Sequence, residues 1–293
     1  MKTVFFTLSL FLVSLNLIAQ EPVFQTFKDR WVINSVSVEM LPKHKLDIRI
    51  THRFGDMFGA GGNWKTFYGL DNSTDILIGG EYGVTNNLSA GLFRTKGAGD
   101  LKQLVSTTLK YRIIQQAVGG SPVSLVVAGV SSISTQKKNL DSEGINRFDK
   151  FAHRLVYHMD AIVGRKFSDF FSLQLSGGYT HRNIVPNDDE NDLADVGVAT
   201  RIQISKSLGL IADFTLPLNG KQSPFTSEDD PFVDYYPILG FGLEFETGGH
   251  VFQLNFTNAK AIMPTDYIPF NTNANWFDGE FRIGFTISRI FNL

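Results

Sequence analysis

The stretch 165–182, RKFSDFFSLQLSGGYTHR, contains the alternation that decides the fold. Apolar or aromatic residues or Gly hold every second position from 171 onward: Phe171, Leu173, Leu175, Gly177 and Tyr179. The positions between them are polar or Gly: Ser172, Gln174, Ser176, Gly178, Thr180 and Arg182. Because side chains alternate across a β-strand, the stretch predicts a strand with one oily face and one polar face. A soluble sandwich buries the oily face, whereas a membrane barrel turns it toward lipid, so one strand alone does not choose between them.

The composition excludes several classes of function for this chain. The chain has 293 residues, enough for one large all-β domain or two ordinary ones, and a formal net charge of −2, which argues against a nucleic-acid partner. It has no Cys, which excludes disulfides, thiol catalysis, thiolate metal sites and an acylated N-terminal Cys. Its 27 Gly and 26 Phe suit a barrel, which uses aromatic rings at the membrane interfaces and Gly on a crowded inner wall.

The N-terminus predicts export. Residues 1–20, MKTVFFTLSLFLVSLNLIAQ, combine a Lys, an apolar run over 4–18 and a small residue at Ala19, which is typical of a secretory signal peptide cleaved near Ala19 or Gln20. No later apolar run approaches the roughly 18 residues of a spanning helix, so any membrane span must be a strand. We therefore expect a signal peptide at 1–20, an N-terminal segment at 21–44 that is a plug or an extra strand, and an outer-membrane β-barrel at 45–293.

Thirteen candidate strands follow the alternation, with no solenoid repeat and no low-complexity linker between them. They cover 32–40, 45–54, 74–84, 87–95, 103–115, 122–133, 153–167, 170–183, 193–205, 207–217, 234–247, 250–258 and 279–291. Connections after Val84, Phe167, Ser205 and Thr247 are tight, whereas those at 55–73, 134–152, 184–192, 218–233 and 259–278 are long. Short and long connections alternate in outer-membrane barrels, and a Greek-key sandwich has no reason to keep this rhythm.

The strand count favours an even-numbered barrel. Twelve strands lie between Lys45 and Phe291, which fits the even number of bacterial single-chain barrels. The segment 32–40 is then surplus: it lies in the lumen, pairs beside 46–54, or belongs to a fourteen-strand barrel. The sequence predicts an all-β, antiparallel transmembrane β-barrel of about twelve strands, with short periplasmic turns and long external loops.

Several phrases together resemble a known family. They are WVINSVSVEM, KLDIRITHRFG, EYGVTNNLSAGLFR, LKYRIIQQ, RKFSDFFSLQLSGGYTHRN, ETGGHVFQLNFTNAKA and the closing FRIGFTISRIF. The chain resembles a family of outer-membrane β-barrel proteins of Bacteroidetes that is catalogued as a domain of unknown function, number 5777. The resemblance covers nearly all of the mature chain and implies the fold and the outer-membrane location, but no activity and no catalytic residues.

Charged residues on the polar strand faces are the main chemical feature. The candidate lumen-lining charges are Arg49, Arg53, Glu81, Lys110, Arg112, Arg154, Asp160, Arg182, Arg201, Asp213, Glu244 and Arg282. They form either a constriction that selects small solutes, with a basic excess that favours anions, or a salt-bridged network that fills a narrow lumen.

Other candidate chemistry has plain structural explanations. The six His residues include no H-E-x-x-H pair, and the acidic segments 187–192 and 227–234 lack EF-hand spacing, so we expect no metal and no cofactor. The Gly-rich segment 58–67 lacks the ending of a phosphate loop and predicts a turn or short helix at the rim. A lipid hydrolase needs a Ser with a His base, but Ser176 and His181 are five apart and point to opposite faces of one strand.

Three functions remain open from the sequence. The first is a non-enzymatic barrel that forms a narrow channel for small polar or anionic solutes. The second is a structural or partner-binding barrel with a closed, salt-bridged lumen, and the third is an outer-membrane lipid hydrolase. The expected partners are outer-membrane lipid and lipopolysaccharide, with another envelope protein as a further candidate.

Overall fold

A computed structural model describes residues 21–142, 144–186, 189–221, 223–225, 236–271 and 274–293. The expected signal peptide at 1–20 and the acidic segment 227–234 lie outside the described residues, as do positions 187 and 188 of the other acidic segment. In the described part of the chain, no helix is both long enough and apolar enough to cross a membrane.

The described chain forms strands, one short α-helix and three 3-10 turns. The strands are β1 (Glu21–Pro22), β2 (Trp31–Val32), β3 (Ser35–Val36), β4 (Lys45–Asp56), β5 (Ser73–Gly83), β6 (Leu88–Thr95), β7 (Leu104–Ile114), β8 (Ala117–Val118), β9 (Ser124–Ser134), β10 (Leu155–Lys166), β11 (Phe171–Arg182), β12 (Asp192–Gln203), β13 (Leu208–Pro217), β14 (Ile238–Thr247), β15 (His250–Thr257) and β16 (Arg282–Asn292). The helix α1 covers Pro264–Phe270, and the 3-10 turns cover Trp64–Thr66, Ile145–Arg147 and Phe151–Arg154.

Twelve strands close into an antiparallel barrel. Its strand order is β4-β5-β6-β7-β9-β10-β11-β12-β13-β14-β15-β16, and β16 pairs back onto β4 with Phe285 opposite His52 and Ile287 opposite Ile50. Closure leaves no free sheet edge, so every backbone polar group in the wall has a partner strand, as a bilayer requires. The predicted count of twelve is confirmed, and the segment 32–40 supplies no wall strand.

The alternation has the orientation of a membrane barrel. On β11, Gln174 is 1% exposed, whereas its neighbour Leu175 is 55% exposed. Polar side chains are therefore enclosed and oily side chains face outward, which is the reverse of a soluble sandwich.

The two ends of the barrel differ. At one end, which we call the short-turn end, the strands are joined by 84–87, 115–123, 167–170, 204–207 and 248–249. At the other, the long-loop end, the connections are 57–72, 96–103, 135–154, 183–191, 218–237 and 258–281. The Gly-rich segment forms the predicted short helix at the rim of the long-loop end, at Trp64–Thr66.

Residues 23–42 enter the lumen from the short-turn end and return to it. Where the chain enters, the Val23 amide donates a hydrogen bond to the Gln116 carbonyl at the rim. Where it leaves, the Lys45 amide donates one to the Pro42 carbonyl. Between these points β2 and β3 form a two-residue hairpin whose tip is Ile33 and Asn34. We call residues 23–42 the lumen segment.

The connection 258–281 turns inward from the opposite end. Its first half, including Pro264–Pro269 of α1, is buried inside the barrel, although the length of this connection predicts an external loop. The pattern of residues 259–278 gives no signal for this inward turn, because the buried polar groups find their partners only on distant strands. We call residues 258–271 the inner loop.

Candidate functional site in the barrel lumen

The lumen segment packs an apolar face against one side of the inner wall. Phe27, Trp31 and Val36 belong to one buried cluster with Leu77 and Phe93 of the wall. The rings of Trp31 and Phe93 meet edge to face with centroids 6.3 Å apart. Burial of a large aromatic side chain stabilises by about 1.5–3 kcal/mol, so this contact alone favours an occupied lumen.

A four-charge cluster fixes the middle of the lumen segment. Arg30 pairs with Asp47 at 2.8 Å, and Arg49 pairs with Asp29. Side-chain exposure in this cluster is 4% or less, so each charge has lost its water and depends on the opposite charge. Gln253 adds a hydrogen bond to the Trp31 carbonyl at 2.9 Å.

Asp213 holds the tip of the hairpin. Its carboxylate accepts hydrogen bonds from the Asn34 amide at 2.8 Å, the Ser35 amide at 2.9 Å, the Ser35 hydroxyl at 3.0 Å and the Asn34 side-chain amide at 3.0 Å. Gly240 on the neighbouring strand leaves room for this contact, because a Cβ there would lie 2.9 Å from a methyl group of Ile33. The wall at Asp213 and Gly240 is therefore complementary to the hairpin tip in both hydrogen bonding and shape.

Arg53 joins the wall, the lumen segment and the inner loop. Its guanidinium donates to the Asn34 side-chain oxygen at 2.9 Å, to the Ala259 carbonyl at 3.2 Å and to the Ala261 carbonyl. The Tyr267 hydroxyl of α1 donates to the Asn34 carbonyl at 3.3 Å, so the two inward elements also touch each other. The lumen is thus filled from both ends, and the two fillings meet at Asn34.

Two carboxylates hold the inner loop in place. Asp75 of β5 accepts hydrogen bonds from the Ile262 amide at 3.0 Å and the Gly97 amide at 2.9 Å. Asp266 of α1 accepts from the amides of Ala98 at 3.0 Å and Gly99 at 2.9 Å. Burial raises the pKa of Asp266 to about 7, and the nearby charge of Asp75 adds to the rise.

Glu39 joins the entering and returning halves of the lumen segment to each other and to the wall. Its side chain accepts hydrogen bonds from the amides of Thr26 at 2.5 Å and Phe27 at 3.2 Å, while its carbonyl accepts one from Lys110 at 2.6 Å. Burial raises the pKa of Glu39, and these hydrogen bonds oppose the rise.

Each of the twelve candidate charges has a hydrogen bond or an ion pair. Four bind the lumen segment: Arg49, Arg53, Lys110 and Asp213. Four bind other wall side chains. Glu81 binds Ser89 and Asp160 binds His158, while Arg201 and Glu244, both candidates, pair with each other at 2.7 Å. Arg182 and Arg282 bind long-loop connections at Asp189 and Asn258. Arg112 binds Asn87 at the short-turn rim, and Arg154 binds the Ser134 and Gln136 carbonyls.

The buried wall charges are nearly balanced. The carboxylates on the barrel strands are Asp47, Asp75, Glu81, Asp160, Asp195, Asp213 and Glu244. The buried cations on the same strands are Arg49, Arg53, Lys110, Arg182, Arg201 and Arg282. Seven acids against six bases leave no basic excess. The candidate set differs because it omits Asp47, Asp75 and Asp195 and includes Arg112 and Arg154, which are only partly buried. The wall alone gives no basis for an anion preference.

One hydrogen-bonded set in the lumen has the composition of a catalytic triad. It joins Thr180, His158 and Asp160, with both hydrogen bonds at 2.9 Å. Thr180 is fully buried, so its hydroxyl is closed to a substrate. Ser176 and His181 lie on opposite faces of β11, and the described chain has no group of three His, Asp or Glu side chains placed to hold a metal ion.

Several lumen residues have no signature in the sequence. Asn34, Asp75 and Asp266 make hydrogen bonds that hold the two inward elements, yet each is an ordinary polar residue in a local pattern that does not single it out. A usable signal does exist in apolar residues on polar strand faces. These are Leu77, Phe93, Val126, Ala128, Val130 and Ile162, which form one buried cluster with the lumen segment and with Ile262 and Met263 of the inner loop. An apolar patch is unfavourable on the wall of a water-filled lumen, so this patch indicates that an apolar segment covers it.

These observations define a class: a twelve-stranded membrane β-barrel with an occupied lumen. The family model described as a membrane-bound beta barrel domain, DUF5777, matches residues 27–291, and the chain belongs to this family. The match begins within the lumen segment and ends in the last wall strand, so it includes both the occupant and the wall. A search of curated proteins finds no match.

Solved structures with a similar architecture are outer-membrane barrels of low sequence identity. An outer membrane channel from Pseudomonas putida F1 is 12% identical with a TM-score of 0.49, covering 87% of this chain and 98% of that one. The NanC porin is 9% identical with a TM-score of 0.48, covering 85% and 99%. The KdgM porin, solved in complex with disordered oligogalacturonate, is 7% identical with a TM-score of 0.46, covering 85% and 99%.

Proposed function

We propose that this protein is a non-enzymatic β-barrel of the outer membrane whose lumen is closed in its resting state, and that it acts as a structural or partner-binding barrel. The observation that carries the proposal is the three-way junction at Arg53. There the wall binds the hairpin tip of the lumen segment and two carbonyls of the inner loop at once. A solute that enters from either end meets a filled core.

The chemistry of the contacts supports a durable closure. The lumen segment combines an apolar cluster with paired buried charges, and breaking such a pair costs about 3–5 kcal/mol because the remaining charge is left without a partner. Each inward element also stabilises the other through Asn34. Loss of one contact therefore does not open a path through the barrel.

Single-channel recording in planar bilayers tests the proposal. The full chain is expected to insert without conductance steps. A variant that lacks residues 23–42 and has residues 259–271 of the inner loop replaced by a Gly-Ser linker is expected to give discrete steps, because both inward elements are then gone. Heat-modifiable gel mobility of this variant shows that its wall is folded. Discrete steps from the full chain, reduced by Arg53→Ala, would contradict a closed resting state.

A gated channel is the second candidate, favoured by the path of the lumen segment. The segment enters and leaves at the same end, so it can withdraw as a loop without being threaded through the barrel. Its other contacts with the wall are ion pairs and hydrogen bonds, whose groups water can solvate once the segment has left the lumen. A small polar solute is the expected cargo, and the near balance of buried wall charges predicts weak ion selectivity.

Co-purification and solute flux distinguish the two candidate functions. A structural barrel is expected to co-purify with another envelope protein from mild detergent extracts while remaining ion-tight. A gated channel is expected to show solute flux in liposomes only after a ligand or partner releases the lumen segment. Outer-membrane lipid and lipopolysaccharide are the expected surroundings in both cases.

A further inference from the structure

An aromatic surface projects from one side of the long-loop end. It consists of Phe58, Trp64, Phe67 and Tyr68 in the connection 57–72, together with Phe277 in the connection 258–281. These two connections are neighbours because β16 pairs with β4. We call these five residues the aromatic foot.

All five rings of the aromatic foot are exposed in the chain. Phe277 is 94% exposed and Trp64 is 72% exposed, and even the least exposed ring, that of Tyr68, is 42% exposed. Single exposed apolar residues are common, but several large exposed rings in two neighbouring connections mark a surface that contacts a partner or a membrane. Two of the rings, Phe58 and Tyr68, contact each other with centroids 5.4 Å apart.

Phe58 joins the foot to the lipid-facing wall. Phe58 contacts Phe281 with ring centroids 5.9 Å apart, and Phe281 contacts Phe256 at 6.3 Å. Phe256 in turn stacks on Phe241 at 5.4 Å. Phe241 and Phe256 lie on the outward faces of β14 and β15, where they face hydrocarbon, so this row of rings connects the lipid-facing surface to the foot.

Local backbone structure holds the foot rings outward. The Asn63 side chain caps the 3-10 turn by accepting a hydrogen bond from the Lys65 amide at 2.8 Å. The turn ends at Phe67, which has a φ of 47° and so adopts the left-handed conformation. Lys65, the residue after Trp64 in this turn, is also exposed.

We propose that the aromatic foot lies in the bilayer surface, with its rings at the boundary between headgroups and acyl chains. The occupant of this surface is lipid, because the foot is joined to the lipid-facing wall through Phe58. The barrel is thereby anchored on one side beyond its strands.

The anchor also bears on the closed lumen. The connection 258–281 has its first half in the lumen as the inner loop and its second half, with Trp276 and Phe277, at the membrane surface. Trp276 stacks on Phe281 at 5.0 Å, which fixes the second half to the wall. The connection 258–281 is therefore held in the lumen by Asp75 and at the outer wall by Trp276.

Tryptophan fluorescence tests the proposal because the chain has three tryptophans in three settings. Trp64 is in the foot, Trp276 is in the ring row on the wall, and Trp31 is buried in the lumen. The variant Trp31→Phe with Trp276→Phe leaves Trp64 as the only emitter. It is reconstituted into vesicles of phosphatidylcholine brominated either near the headgroups or near the chain ends.

The expected result is a blue-shifted Trp64 emission that loses roughly half its intensity with the headgroup-side bromine, and much less with bromine at the chain ends. The Trp276 single emitter is the positive control, and the Trp31 single emitter is the negative control. If the double variant does not fold, the difference between Trp276→Phe and Trp276→Phe with Trp64→Phe isolates the Trp64 signal.

Two results would overturn the proposal. Strong quenching by aqueous acrylamide without quenching by brominated lipid places the foot in water. Protection from both quenchers that disappears on dilution of the protein assigns the foot to contact with a second copy.

Discussion

Replacement of Asp213 by Ala is expected to release the tip of the lumen segment while leaving the barrel wall intact. The change removes four hydrogen bonds to Asn34 and Ser35 and leaves two backbone amides buried without an acceptor. Asp213 lies on a wall strand, but its carboxylate accepts no hydrogen bond from the wall in the described chain. The effect should therefore be local to residues near the tip.

The magnitude follows from those orphaned donors. Each buried donor left without a partner costs about 1–3 kcal/mol, and loss of the buried carboxylate returns part of that by removing its own desolvation. We expect a net loss of about 3 kcal/mol in the docking free energy of the tip, which is roughly a hundredfold change in the ratio of undocked to docked states.

Amide hydrogen exchange of the folded protein in detergent micelles measures this ratio. Amides of residues 31–36 in Asp213→Ala should exchange roughly a hundredfold faster than in the unmodified chain, while strand amides keep their rates. The matched control is Glu246→Ala, which removes the half-exposed pair with Lys28 at 2.7 Å and should change the same rates by less than about fivefold. If Asp213→Ala does not fold, Asp213→Asn offers a smaller perturbation of the same site. Unchanged exchange at 31–36 in a folded Asp213 variant would refute the role assigned to the carboxylate.

Three further outcomes are expected. Arg53→Met leaves buried acceptors of the lumen segment and the inner loop without a donor, and each such acceptor costs about 1–3 kcal/mol of stability. The temperature at which the barrel loses its compact gel mobility should therefore fall. An unchanged temperature would contradict the junction at Arg53. Gly240→Val places a side chain against Ile33 and should speed exchange at 31–36, whereas Gly177→Val on the open outer face should not. The folded-state pKa of Asp266, about 7, lies above its unfolded value, so its contribution to inner-loop docking is present in acid and is lost as pH rises through 7. After correction for intrinsic rates, exchange of α1 amides should rise over that range, and Asp266→Asn should remove the pH dependence; a rise that persists in Asp266→Asn would contradict the assignment.

The architecture follows from the sequence because alternation and closure are local properties repeated along the chain. In β11 the positions of Gln174 and Leu175 alone predict which face is enclosed once the barrel is chosen. The long and short connections then set the strand count. Each of these signals lies within a dozen residues, so no distant contact is needed to interpret it.

The closed lumen does not follow from the sequence in the same way. The partners of Asn34 lie at Asp213 and Arg53 on opposite parts of the chain, and such pairings have no local pattern. The sequence does contain an indirect signal in the mismatch at Leu77 and Phe93, two large apolar residues on otherwise polar faces. Matching these inward residues to the apolar positions of 27–38 would have predicted an occupied lumen, although not the contacts that hold it.

The location of residues 23–42 inside the barrel is the central claim, and a designed cross-link tests it most directly. The chain has no Cys, so Val38→Cys with Gly164→Cys introduces the only two thiols. A Cβ at position 164 would lie 3.3 Å from the Val38 Cβ, within a few tenths of an ångström of disulfide geometry. Position 177 faces open space on the outer wall, so Val38→Cys with Gly177→Cys is the matched control. The protein is oxidised mildly while folded and then unfolded in denaturant, because a thiol at position 38 is buried and reacts with maleimide only after unfolding. The 38/164 pair should then have no free thiol, whereas the 38/177 pair should keep both. Two free thiols in a 38/164 variant that was folded during oxidation would contradict the closed lumen.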